Sequence, residues 1–286
     1  MNTSLVASAA QSEGDATPAS RGCTVGVVSF LNARPLIEGL AQRPGWTLRP
    51  AVPSALAAML DEGMIDVGLL PVVDFHRRRD RLRLISDACI ASDGETLTVR
   101  VFSRCPAEQI ERLHVDPDSH TSVILARLIW HEMYGRRPAL CAWRSAGTVA
   151  DVGPREAVLL IGDKVVTRRP RGFGFEVDLG AAWKHLTGLP MVFAAWACRS
   201  DCFDAPRHAA IALALSRARD EGLSRASEIA EREAAEHGWP VDLARHYLTE
   251  SLQYRLTPHA MAGMERFLNS AADAGLLRDG DSAIDA

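Results

Sequence analysis

The chain has 286 residues, a length that suggests two domains and a core large enough to need no disulfide or metal staple. Its formal charge of -4 argues against a general nucleic-acid binder. The six cysteines (Cys23, Cys89, Cys105, Cys141, Cys198 and Cys202) include no CxxC pair, and several lie in apolar runs, the pattern of small buried hydrophobes in a reducing compartment.

Residues 1–22 are small and polar. They lack a basic start and a continuous apolar stretch, so they are expected to be a mobile tail and not a signal peptide. No later stretch is apolar for long enough to span a membrane, and a cytoplasmic protein is expected. TVGVVSF, residues 24–30, is a first strand, and PLIEGLAQR, 35–43, a helix opened by Pro35. WTLRPAV is a second strand. Ser54 is placed as the N-cap of ALAAMLDEG, with Gly63 as its C-cap. IDVGLLPVVDF, 65–75, is one nearly continuous apolar run, as in strands buried on both faces of a parallel sheet. The pattern so far is β-α-β-α-β, the doubly wound order.

Residues 84–104 change style. LISDACIAS and TLTVRVFSR are strand-like and joined at Asp93-Gly94. Thr96, Thr98 and Arg100 alternate with apolar residues, which predicts a half-exposed strand that carries the chain between lobes. A second α/β unit follows. It holds a strand at HV, an amphipathic helix ending at Gly135, strands at 138–143 and 157–163, a helix from Asp178 to Gly188, and a strand at 191–200. From Pro206 onward the pattern is helical only, and such a run is expected to pack back on the first lobe. The expected division is therefore 23–104 plus 200–286 for lobe 1, and 105–199 for lobe 2.

Much chemistry is excluded. There is no GxGxxG, GxxxxGK[ST], GxSxG or HExxH; GFGF at 172–175 lacks the third glycine, and His131-Glu132 lacks a second histidine four residues on. The nine histidines are scattered, so no metal site is expected. HRRRDRLR, 76–83, reads as a solvated basic loop.

Three polar stretches stand at the C-terminal ends of predicted strands, where open α/β sheets bind ligands. SFLNARP supplies Ser29, Asn32 and Arg34. DSHTS opens a helix with Ser119, Thr121 and Ser122, whose hydroxyls and free N–H groups suit a carboxylate. LLIGD supplies Gly162 and Asp163; Asp163 serves equally well as a ligand contact or as a cap. The hydroxyls of Thr96 and Thr98 could face the same cleft. The residues alone support a two-lobed α/β protein that binds a small anion.

SFLNARPLIEGL, IDVGLLPVVDF, DPDSHTSVILARLIWHEMYG, AVLLIGDKVV and DLGAAWKHLTGLPMVFAAW, in this order, resemble the MqnA family, the chorismate dehydratases of the futalosine route to menaquinone. The resemblance covers roughly residues 24–255. It implies a type II periplasmic-binding-protein-like fold, with two lobes, two crossings and the ligand in the cleft. It implies loss of water from chorismate to give 3-[(1-carboxyvinyl)oxy]benzoate, with no cofactor, no nucleic acid and no membrane partner. Asn32 matches the asparagine of the family's FLN motif. A neutral amide is a poor base, so Asn32 is expected to orient chorismate, whose own enolpyruvyl carboxylate removes the proton. Thr98 falls where the family more often has serine, in a stretch reading GETLT, and inherits the hydroxyl role. Glu95 stands there in place of proline and is a conceivable acid for the leaving hydroxyl. Thr121 and Ser122 match the family's TS and are expected to bind a carboxylate. The alternatives are a small-carboxylate binding protein without catalysis and the related 1,4-dihydroxy-6-naphthoate synthase. SFLNARP disfavours the latter, which is expected to carry a Pro-Asn-Asp motif there and a functional histidine.

Overall fold

The apolar run Cys23–Val27 forms β1, which pairs in parallel with β2 (Trp46–Pro50) on one side and β3 (Val67–Pro71) on the other. The computed structural model describes residues 22–116, 119–143, 152–201 and 204–277; most of the expected tail lies outside them. After β1 a 3-10 turn, Leu31–Ala33, leads into α1 (Arg34–Ile37), which holds Pro35 in its first turn. That helix is one turn long, shorter than its pattern predicts. Glu38 leaves helical geometry and Gly39 takes a positive φ of 72°, which glycine adopts without a Cβ penalty. α2 (Pro53–Asp61) starts one residue before the expected cap, with Val52 as N-cap and Ser54 inside the helix. The apolar run 65–75 divides: β3 stops at Pro71 and α3 (Val72–Arg77) follows directly. The basic run thus falls on the end of α3 and the start of β4 (Leu82–Ser92), not wholly in a loop.

The remaining elements are β5 (Val99–Ser103), β6 (Arg112–Val115), α4 (His120–Tyr134), β7 (Ala139–Ala142), β8 (Glu156–Ile161), α5 (Lys164–Thr167) and β9 (Phe175–Asp178). They continue with α6 (Leu179–Thr187), β10 (Met191–Arg199), α7 (Ala205–Ser224), α8 (Ala226–His237), α9 (Val241–His246), a π turn at Tyr247–Ser251, β11 (Gln253–Arg255) and α10 (Pro258–Asp273). Two sheets result, in the orders β11-β4-β10-β3-β1-β2 and β7-β6-β8-β5-β9.

Sheet membership shifts the expected boundaries. β5 pairs with β8 and β9, so it belongs to the second sheet; β10 pairs with β3 and β4, so it belongs to the first. The chain therefore crosses between Ser92 and Val99, and returns between Thr187 and Met191. Local alternation reports a strand but not its partner, which is why the sequence division fell some residues late at both crossings. The first crossing is held by Asp178, whose carboxylate accepts from the N–H groups of Thr96 and Leu97 at 2.9 Å each and also caps α6 through Gly180 and Ala181. Leu97 between them has φ 65°, a left-handed geometry costing about 1–3 kcal/mol in a non-glycine residue. Thr96 and Thr98 are buried and not half-exposed, because Asp178 and Tyr247 satisfy their hydroxyls.

The C-terminal run is not helical throughout: β11 adds an edge strand beside β4. α7 packs on α1 and β4, so closely that a Cβ on Gly222 would lie 1.9 Å from the Pro35 carbonyl oxygen. α10 packs on β10 and reaches α4, and Phe267 meets Trp183 edge to face at 5.9 Å. The terminal segment thus seats on the first sheet and also braces the second lobe's helices. Cys23, Cys89, Cys105 and Cys198 are buried and in no disulfide, Cys141 is half-buried, and Cys202 lies outside the described residues. Burial pushes Cys23 and Cys89 up to about 12, so neither is a thiolate near neutral pH.

Candidate active site

A cavity of about 660 Å³, open mouth included, lies where the two sheets face one another. Its walls are largely apolar, from Val28, Phe30, Leu69, Ile90, Ile161, Phe193 and Leu252. Polar groups enter from three directions: Asn32, the Thr96–Val99 crossing with Tyr247, and the start of α4.

Asn32 reaches the cavity because the chain turns sharply after β1. Phe30 is still extended, at φ -81° and ψ 155°, and the 3-10 turn buries Leu31 and Ala33 on either side. Its Oδ1 is buried without a hydrogen-bond partner. A buried polar atom left unpaired costs about 1–3 kcal/mol, and the fold carries that cost at the cavity. The Thr98 and Tyr247 hydroxyls are 2.6 Å apart. Tyr247 is almost wholly buried and stacks on Trp239, with ring centroids 4.9 Å apart. Burial raises its pKa well above the ordinary tyrosine value, while hydrogen bonds from Thr98 and Asn32 pull partly the other way. Tyr247 therefore stays a neutral hydroxyl near pH 7. Asn32, Thr98 and Tyr247 form one polar cluster that joins three distant parts of the chain.

At the other wall, α4 begins with Ser119, Thr121 and Ser122, all buried and all lining the cavity. Ser119 is the N-cap, yet its side chain makes no capping hydrogen bond. Its hydroxyl is not spent on the helix, unlike that of a plain cap. The Thr121 hydroxyl accepts from the Val73 N–H at 3.4 Å, which ties α4 to α3. The first-turn N–H groups of a helix have no partner within it and favour an anion. Gly162 also lines the cavity, with φ 57°, and a Cβ there would meet the Phe30 ring at 2.9 Å.

Two candidates are not brought into the cavity. Ser29 is exposed and does not line it. Asp163 sits behind the wall: its carboxylate accepts from the Leu31 N–H at 3.3 Å and the Trp239 indole N–H at 3.0 Å, and pairs with His237 Nδ1 at 2.7 Å. Arg34 joins this cluster through His237 and Glu233. Glu95 is exposed, away from the cavity, and pairs with Arg100. Two lining residues went unnoticed in the sequence. Tyr247 had no local signal inside a helical run. His120 stood in plain view within DSHTS; its Nδ1 lies 2.7 Å from an oxygen of Asp74, which is 2% exposed. Among the described residues no lysine or arginine lines the cavity, and no group of three or more His, Cys, Asp or Glu is placed to hold a metal ion. Among them too, no helix is long and apolar enough to cross a membrane.

Comparison with known proteins agrees with this architecture. A family model described as menaquinone biosynthesis matches residues 23–273. The chain is 31% identical over 263 residues to a chorismate dehydratase of Thermus thermophilus, covering 86% of this chain and 94% of that one. A solved protein of Archaeoglobus fulgidus matches with TM-score 0.69 at 15% identity, covering 89% of this chain and 98% of the other. The periplasmic aliphatic sulphonate binding protein of Escherichia coli matches with TM-score 0.61 at 14% identity, covering 90% and 88%. At such identities the structural matches establish the fold alone, a periplasmic-binding-protein-like one. A family match spanning both lobes and a full-length relative sharing nearly a third of its residues lead to one conclusion: the chain belongs to the menaquinone biosynthesis family, the MqnA family that its motifs resemble.

Proposed function

We propose that the protein is a chorismate dehydratase, a hydro-lyase that eliminates water from chorismate to give 3-[(1-carboxyvinyl)oxy]benzoate. The observation that carries this reading is the convergence of Asn32, Thr98 and the Ser119–Ser122 helix start on one cavity, in a chain 31% identical to a chorismate dehydratase. Chorismate carries two carboxylates, and the α4 start offers hydroxyls and N–H groups suited to one of them. Asn32, Thr98 and Tyr247 orient the ring from the opposite wall. Loss of the ring proton and the neighbouring hydroxyl makes the ring aromatic, and that gain drives the reaction. The enolpyruvyl carboxylate of the substrate itself takes the proton; Asn32 is no base, and Tyr247 is held neutral. Buried thiols outside any disulfide suit a cytoplasmic enzyme.

The test is to incubate the purified protein with chorismate, follow its loss, and identify the product. Formation of 3-[(1-carboxyvinyl)oxy]benzoate is the expected result. Tight binding without turnover would instead favour a carboxylate-binding protein. At the helix start, Ser122→Ala removes one hydrogen bond to a charged group, worth about 1.5–3 kcal/mol. KM is expected to rise roughly tenfold or more by that energy, with a smaller change in kcat. Steady-state kinetics on chorismate checks both, and an unchanged KM would count against the carboxylate site.

A further inference from the structure

We infer that His120 is the proton donor to the departing hydroxyl, and that Asp74 is the residue that positions it. The inference rests on the dehydratase reading and adds what that reading lacks. Substrate-assisted deprotonation accounts for the proton that leaves carbon, but hydroxide is a poor leaving group and departs readily only as water.

Among the described residues that line the cavity, only His120 and Tyr247 have side chains that titrate. Tyr247 is locked in its neutral form by burial, which leaves His120 as the other lining side chain suited to acid–base chemistry. His120 is the first residue of α4, and a quarter of its side chain is exposed. One ring nitrogen, Nδ1, is 2.7 Å from Asp74 Oδ1, so Nε2 is the nitrogen not engaged by that carboxylate. Asp74 comes from α3 and is 2% exposed, and its Oδ2 has no hydrogen-bond partner. A carboxylate taken out of water is costly unless well paired. The fold retains one here against a single imidazole, at a cavity wall. A buried carboxylate on Nδ1–H fixes the tautomer and ring orientation.

The step balances without a co-reactant. The enolpyruvyl carboxylate takes the ring proton, and the C–H electron pair becomes the new ring double bond. The C–O bond breaks as Nε2–H of the imidazolium protonates the departing oxygen, which leaves as water. The carboxylic acid formed on the substrate returns its proton, directly or through water, to restore His120.

Measure kcat and KM on chorismate for wild type, His120→Gln, His120→Arg and Asp74→Asn, with thermal unfolding recorded for each. Run the same set on a chorismate analogue in which the hydroxyl is replaced by chlorine, since chloride departs without a proton. Loss of a general acid costs roughly 10²–10⁴-fold. On chorismate, His120→Gln and His120→Arg are expected to lose kcat by about that factor with KM little changed, and Asp74→Asn to lose it in the same direction. On the chloro analogue the variants are expected to approach wild type. Retention of kcat in His120→Gln would overturn the inference. So would retained kcat in His120→Arg with a KM defect in His120→Gln, which would make His120 a carboxylate-binding cation. Equal losses on both substrates would make its role structural and also overturn it. If wild type fails to dehydrate chorismate, the dehydratase reading falls first; if wild type succeeds and His120→Gln matches it, only this inference falls.

Discussion

Asn32→Ala is expected to cut turnover of chorismate by on the order of 10²- to 10³-fold, the usual cost of losing one preorganised polar group at a reacting centre. The same change is expected to leave the thermal midpoint unchanged or slightly raised. The two halves of this expectation have one cause. Asn32 Oδ1 is buried without a partner, so the fold loses no hydrogen bond there when it goes, and gains by the removal of an orphaned acceptor. A side chain whose acceptor oxygen the fold does not use, placed on the cavity wall beside the Thr98–Tyr247 pair, is held for something other than stability. The alanine also deletes the hydrogen bond to Tyr247, but Thr98 remains as that hydroxyl's partner at 2.6 Å. Steady-state kinetics together with a thermal melt by circular dichroism checks both halves. Near-normal turnover would remove Asn32 from the mechanism. A large drop in stability would mean that the amide is a structural tie between the turn and Tyr247.

How much of this was legible beforehand depends on how local each feature is. The β-α-β-α-β opening, the Asp178 cap, and the glycine stops at 135 and 188 are properties of a few adjacent residues, and each appears where the pattern put it. The polar strand ends were legible for the same reason: Asn32, Ser119, Thr121, Ser122 and Gly162 line one cavity, although Ser29 and Asp163 do not. What failed was pairing at a distance. The alternation at Thr96 and Thr98 looked half-exposed because polar side chains ordinarily face water. Here Asp178 and Tyr247, 82 and 149 residues away, satisfy them in the interior. The strand at Met191–Arg199 followed second-lobe elements in sequence, yet it lies between β3 and β4 in the first sheet. Tyr247 has no neighbour in sequence that hints at a site. His120 sat inside a recognised motif, but its meaning depends on Asp74, 46 residues earlier and on another helix.

Asp163→Ala is expected to destabilise the protein by about 3 kcal/mol, because the aspartate is an inter-lobe clasp. It stands just past β8 in the second lobe, and among the described residues every partner of its carboxylate belongs to the first. Those partners are the Leu31 N–H in the turn after β1, the Trp239 indole N–H between α8 and α9, and His237 at the end of α8. Its side chain is 18% exposed and that of His237 7%, so water does not fully replace what the mutation removes. Each donor left unpaired in such a setting costs about 1–3 kcal/mol, partly relieved by local adjustment, and about 3 kcal/mol in total is a conservative sum. In a protein of this size that lowers the thermal midpoint by roughly 6–12 °C. Asp163→Asn keeps an acceptor oxygen for Trp239 or Leu31 and is expected to cost less. The effect reaches the site through Trp239, which stacks on Tyr247, so the alanine variant is also expected to lose activity in step with its loss of structure near the cavity. Denaturant midpoints for the two variants, set beside their KM for chorismate, separate a clasp from a ligand contact. A clasp gives an alanine variant that is unstable and an asparagine variant that is intermediate in both properties. A substrate contact gives normal midpoints with a raised KM in both. The first pattern is the one that the three first-lobe partners of Asp163 require.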